Sequence, residues 1–147
     1  MLIKQTVESL GGKRILRAHP RTATELDACV RKGFPLSVLN FVATGTAITT
    51  DKFHVRAIVD RMVSRSTYKR RLKQQRLSMR ESEAVLRLAT LQATAKHVLG
   101  NDELARRFLN NPHPKLGGRK PIDIADTEIG GRQVEEILQR AFYGIPG

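Results

Sequence analysis

Apolar residues recur at steps of three and four along most of this chain, and nowhere alternate over enough positions to make a strand. Val55, Ile58, Val59 and Met62 form one such stripe, at i, i+3, i+4 and i+7, behind Asp51, which can cap a helix start. Ser64 can cap the next helix, whose apolar side would be Tyr68 and Leu72. Ala84, Leu88, Leu91, Ala95 and Val98 step by 4, 3, 4 and 3 behind a capping box at Ser78 and Glu81, and Gly100 stops that long helix. Asn101 caps Asp102 to Leu109, where an acidic first turn and Arg106-Arg107 suit the helix dipole. Upstream, Thr24-Glu25 opens a short helix broken at Gly33, Pro35 begins another through Val42, and Gly45 to Thr50 is a break. Residues 1–21 are polar and basic and read as a loosely ordered leader.

The pattern predicts an all-α fold with an N-terminal helix-turn-helix head over residues 22–77. A bridging helix over residues 78–100 then leads to a small helical module over residues 101–147. The head rests on the short join Met62-Val63 between the Asp51 and Ser64 helices.

Charge sharpens this division. The formal net charge is +12, and residues 1–100 hold 19 Lys/Arg against 7 Asp/Glu, whereas residues 101–147 hold 7 against 7. Arg61 to Arg80 carries eight basic residues and no acidic one, a block that suits phosphate better than a solvated face built of mixed i,i+4 pairs. In a helix-turn-helix the N-terminal residues of the second helix approach base edges, which makes Arg65, Ser66, Thr67 and Lys69 the candidate DNA contacts. Arg70, Arg71 and Lys73 would hold the backbone, and phosphate contact is favoured over base contact for any one of these arginines.

The densest set of constraints lies in LGGRKPIDIADTEIGGRQVEEILQRAFYG, Leu116 to Gly144. Gly117-Gly118 and Gly130-Gly131 allow positive φ or close backbone approach, and Pro121 enters a short helical turn over Ile122 to Ala125. After Gly131, residues Val134, Ile137, Leu138, Ala141 and Phe142 make one buried helical stripe, ended by Gly144.

Together with Ala105 to Leu109, Asn111 and Pro114, this segment resembles the C-terminal toxin-binding domain of Xre/MbcA/ParS-type antitoxins. The resemblance rests on A-x-x-aromatic-L, LGG-x-x-P, the Thr127 to Gly130 step, V-x-x-x-L and the closing Tyr143-Gly144. Family members often carry Trp where Phe108 stands. Val63 to Arg71 is similar to the recognition-helix region of the same family, which often has Arg in place of Ser66. The resemblance implies a type II antitoxin that neutralises a RES-domain, NAD-depleting toxin at its active-site mouth and represses its own promoter. It implies an interface at Leu116, Gly117, Gly118, Arg119 and Lys120, with Tyr143, Gly144, Ile145, Pro146 and Gly147 as the occluding tail. Core packing is the competing reading for Leu116 and Tyr143.

Other functions find little support. Neither G-x-x-x-x-G-K-[ST] nor G-x-G-x-x-G occurs, and the four histidines show no HExxH spacing, so no enzyme, metal site or cofactor is expected. Asp123, Asp126 and Glu128 suit caps and turns better than acid/base work. The lone Cys29 forms no intramolecular disulfide and suits a reduced, cytoplasmic setting. No apolar run approaches the roughly 18 residues of a membrane span, and the N-terminus does not resemble a signal peptide. The expected partners are double-stranded operator DNA, a toxin and a second copy, since two heads on a palindrome add their contacts. The alternative is a stand-alone helix-turn-helix regulator whose C-terminal module senses a ligand or oligomerises. A basic RNA-binding protein is less favoured, for want of an RNP-type motif or aromatic platform.

Overall fold

The computed structural model describes residues 1–144, which form ten α-helices, one 3-10 turn and no strand among the described residues. In chain order the helices are α1 (Ile3–Ser9), α2 (Gly12–Leu16), α3 (Ala23–Lys32), α4 (Leu36–Thr46) and α5 (Lys52–Met62). They continue with α6 (Arg65–Gln74), α7 (Met79–Leu99), α8 (Asp102–Asn110), α9 (Pro121–Ile124) and α10 (Glu128–Phe142). The 3-10 turn is Pro114–Leu116. The all-α expectation holds.

Local chemistry explains most of the boundaries. The side chains of Asp51, Ser64, Ser78 and Asn101 accept the N–H of His54, Thr67, Glu81 and Leu104, each satisfying a donor that a helix start leaves open. Ser78 and Glu81 complete both halves of the capping box, and Gly100 ends α7 in the left-handed region at φ 101°.

Helix α7 is the spine, packing against α1, α3, α4, α5, α8 and α10. Two apolar cores result. The first gathers Val7, Leu10, Phe34, Leu39, Val42, Val59 and Val85 with their neighbours. The second gathers Leu91, Ala95, Ala105, Leu109, Leu116, Ile124, Val134 and Leu138. Because Leu91 and Ala95 belong to the second core, the C-terminal half of α7 is a structural part of the C-terminal module as well as its connection.

Four expectations are corrected. Residues 1–21 are not a loose leader: Ile3, Thr6, Val7 and Leu10 repeat at i, i+3, i+4 and i+7, and Leu10 is fully buried against the first core. Leu72 does not pack inward but is 47% exposed, because α6 buries no residue at all. Gly130 and Gly131 lie inside α10 rather than before it, since Thr127 caps the helix three residues earlier than Gly130 and a Cβ on Gly130 would run into the Ile124 carbonyl oxygen. Ala141 and Phe142 are exposed, so the buried stripe of α10 ends at Leu138.

The two cores are fastened by polar contacts. The Arg106 guanidinium donates to the carbonyls of Thr44 and Ala47, both at 2.8 Å, and Asn110 Nδ2 donates to that of Thr46 at 2.8 Å. Side chains of α8 thereby satisfy the open carbonyls at the C-terminus of α4. Arg61 of α5 reaches Asp123 of α9 at 2.9 Å.

Candidate functional site

Helix α5 ends at Met62 and α6 begins at Arg65, so only Val63 and Ser64 join them. Val63 is buried and anchors the join, while Ser64 accepts the Thr67 N–H at 3.3 Å and starts α6. At 100° per residue, Arg65, Ser66, Lys69, Arg70 and Lys73 share one side of α6, and all five are exposed. Tyr68 and Arg71 occupy the other side and are partly buried. Thr67 lies between, with its hydroxyl accepting from Ser64 Oγ at 3.0 Å and from Arg70 Nη2 at 3.2 Å. The seven residues singled out from the sequence are therefore split: five on one outward face, Thr67 in the capping turn, and Arg71 turned toward the protein.

The basic block is partly neutralised by carboxylates from outside it. Asp60 takes Arg65 at 3.4 Å as well as Arg56 at 3.1 Å, Asp123 takes Arg61, and Glu81 takes Arg71. Arg76 donates to the Gly33 carbonyl at 2.6 Å. That leaves Lys69, Arg70, Lys73 and Arg80 of the block with neither a carboxylate nor a carbonyl partner among the described residues. They are the cations that an incoming anion would meet with least competition.

At the start of α5, the carboxyl of Asp51 is lowered from its ordinary 3.8 to about 2. The Thr49 hydroxyl is the largest cause, followed by the backbone N–H and the ring of His54. Thr49 Oγ1 lies 2.6 Å and the His54 amide 2.9 Å from the carboxylate oxygens. The carboxylate form is thus fixed at the helix's positive end.

In the C-terminal module, the chain from His113 to Arg119 closes on itself: His113 N–H donates to Arg119 O at 3.0 Å, and the Leu116 and Gly118 amides both donate to His113 O. Gly117 and Gly118 sit at φ 65° and 79°, where a side chain would be strained. This turn leaves Gly117, Gly118, Arg119 and Lys120 exposed, but Leu116 points inward at 8% exposure and belongs to the second core. Leu116 is therefore a packing residue that shapes the turn, not an exposed contact.

At the other end of α10, Tyr143 is 72% and Phe142 is 55% exposed, and Gly144 follows at φ 68°. Phe142 stacks on His97 with centroids 5.6 Å apart and meets Tyr143 edge-on at 5.2 Å. Ile145, Pro146 and Gly147 lie outside the described residues. Gly130 packs on Ile124 near the start of α10, and Phe142 is twelve residues further, about 18 Å along the axis at 1.5 Å per residue. The spacing of Phe142 continues an apolar stripe, but in the structure it packs only at the surface, against His97 and Tyr143, and stays exposed.

Among the described residues, no three His, Cys, Asp or Glu side chains gather as a metal-binding group, and no helix is long and apolar enough to cross a membrane.

This arrangement is an all-α chain with two apolar cores, a basic N-terminal part and a charge-balanced C-terminal part sharing the helix α7. Residues 94–144 match the family described as Antitoxin Xre/MbcA/ParS C-terminal toxin-binding domain. The chain is 34% identical over 86 residues to a Pseudomonas putida protein named Antitoxin Xre, covering 58% of this chain and 54% of that relative. It is 27% identical over 142 residues to a Yersinia enterocolitica protein of the same name, covering 86% of this chain and 96% of that one. These matches support an Xre-type antitoxin. The family match begins at residue 94, inside α7, consistent with the place of Leu91 and Ala95 in the second core.

Proposed function

We propose that this protein is the antitoxin of a type II toxin–antitoxin pair: its C-terminal module binds and neutralises a RES-domain, NAD-depleting toxin, and its helix-turn-helix head binds the promoter of its own operon. The observation that carries the reading is the match of residues 94–144 to a toxin-binding domain. The exposed basic turn at Arg119 and Lys120 and the exposed aromatic end at Tyr143 offer the toxin two contact patches. Gly117 and Gly118 shape the first patch, and Gly144 with Ile145, Pro146 and Gly147 continues the second into the tail that would occlude the active site. The chemistry belongs to the toxin, and the antitoxin itself is not an enzyme.

For the head, Arg65, Ser66 and Lys69 are proposed to face base edges and phosphates, with Arg70 and Lys73 on the backbone. Thr67 supports the same turn from its capping position. Two copies bind a palindromic site as a homodimer.

The test is rescue from toxicity with a RES-domain toxin expressed beside this chain. A version ended before Tyr143, and an Arg119→Glu, Lys120→Glu version, are each expected to lose protection while keeping the fold and duplex-DNA binding. Both leave every residue of the second core in place. Full protection by both versions, together with no toxin recovered in a pull-down by the whole chain, would refute the assignment.

A further inference from the structure

Helix α6 is polar nearly all round and contains no buried residue, and of its side chains only the partly buried Tyr68 packs against the first core, so apolar packing holds it at a single point. Two polar fastenings add to that contact. Near its start, Tyr68 Oη accepts from Asn40 Nδ2 at 3.1 Å, and the Arg56 guanidinium lies 5.4 Å from the Tyr68 ring centre. Near its end, Arg71 meets Glu81 in a two-point fork, Nε to Oε1 at 2.8 Å and Nη2 to Oε2 at 3.0 Å. The remaining terminal nitrogen of Arg71 donates to Gln74 at 3.0 Å.

Glu81 is itself immobilised. Its Oε1 accepts the Ser78 N–H at 2.8 Å and its own N–H donates to Ser78 Oγ at 3.2 Å, so the carboxylate sits in the first turn of the spine α7. The Arg71 and Glu81 side chains are 19% and 15% exposed, against 71% for Arg65. Three of the five Arg71 N–H groups are engaged in these contacts on a largely covered side chain, and drawing the guanidinium onto a phosphate would take the partner from a largely buried carboxylate, which is costly.

We infer that Arg71 is a positioning residue and not a DNA ligand: its fork onto Glu81 sets the angle at which α6 presents Arg65, Ser66, Lys69, Arg70 and Lys73. The inference rests on the DNA-binding reading above and assigns roles within it. Lysine cannot replace Arg71, because a single ammonium makes no planar fork.

The experiment measures affinity for a 30-base-pair duplex, and for the promoter fragment of the protein's own operon, as a function of salt. Amide hydrogen exchange across α6 in the free protein is read in parallel. Lys73→Ala should lower the slope of log affinity against log salt by about 1 and leave α6 exchange unchanged. Arg71→Ala should weaken binding on the order of tenfold, leave the slope unchanged and speed α6 exchange. Arg71→Lys, which keeps the charge and guards against a misfolded alanine variant, should behave as Arg71→Ala does. The inference is overturned if Arg71→Ala lowers the slope by about 1 while Arg71→Lys binds like the parent, since that is the signature of a phosphate contact. Unchanged exchange in both variants would overturn it equally. If the parent protein binds neither duplex, the DNA reading falls and the assigned role falls with it, while exchange still reports whether the fork holds α6.

Discussion

Adjacent glycines in α10 offer a sharp test of the packing between α9 and α10. Alanine is favoured over glycine inside a helix by about 1 kcal/mol, so without neighbours both Gly130→Ala and Gly131→Ala would stabilise. The neighbours differ. A Cβ on Gly130 would overlap the Ile124 carbonyl oxygen and lie 2.9 Å from Thr127 Oγ1, both parts of the backbone turn and cap that launch the helix. Relieving that overlap means moving α9 or the cap, an overpacking cost of about 3 kcal/mol, which leaves a net loss of about 2 kcal/mol after the helix gain. A Cβ on Gly131 would meet only Arg87 Cδ at 3.0 Å and Cγ at 3.3 Å, in a flexible side chain that can yield. Its net effect is a gain of about 0.5 kcal/mol. For a chain of this size 1 kcal/mol moves the midpoint by about 2–4 °C, so Gly130→Ala should melt about 4–8 °C lower and Gly131→Ala about 1–2 °C higher. Thermal unfolding followed by circular dichroism, with refolding checked, reads both. Equal midpoints for the two variants would refute the close approach of α9 to Gly130.

Other consequences can be measured directly. Thr6 Oγ1 is buried without a hydrogen-bond partner, so Thr6→Val, which keeps the shape, should raise stability by about 1 kcal/mol in urea unfolding; a loss of that size would show the hydroxyl to be satisfied. Arg106→Ala removes both donors to the Thr44 and Ala47 carbonyls and should cost about 2–3 kcal/mol, read as a lower urea midpoint, whereas an unchanged midpoint would dismiss the fastening. The Asp51 carboxyl should titrate with a midpoint of about 2 by carbon NMR. Because its folded value lies below the ordinary 3.8, its contribution to the α5 start is complete above that value and fades as pH falls toward about 2; a midpoint near 3.8 would reject the hydrogen-bonded cap.

What could be read from the sequence was mostly what neighbouring residues decide. The caps at Asp51, Ser64, Ser78 and Asn101 each act on an amide three residues away, so four letters suffice to see them. The α-helical class followed from the same short range. Failure came where distant segments decide. Thr6 interrupts the apolar character of the first helix, and the burial of Ile3, Val7 and Leu10 depends on α7, more than 70 residues away. Within Arg61 to Arg80 the absence of acidic residues suggested eight available cations, but Asp60, Glu81 and Asp123 arrive from outside the block. The candidate DNA face was thus visible as composition, whereas the different surroundings of Lys73, exposed, and Arg71, forked onto a carboxylate, required knowing where Glu81 stands. In the C-terminal module the motif order located the glycine turn, yet whether Leu116 or Phe142 faces solvent depended on what packs over each.

The grip of Arg106 and Asn110 on the end of α4 has a bearing on how such proteins can be recombined. The donors and acceptors of this fastening are split between the head and the module, so neither half carries a complete set. A chimera that grafts the module of one relative onto the head of another inherits open carbonyls on α4 unless the incoming α8 brings an arginine and an asparagine at the same two positions. Compatibility at this seam is therefore one condition that an exchange between relatives has to meet.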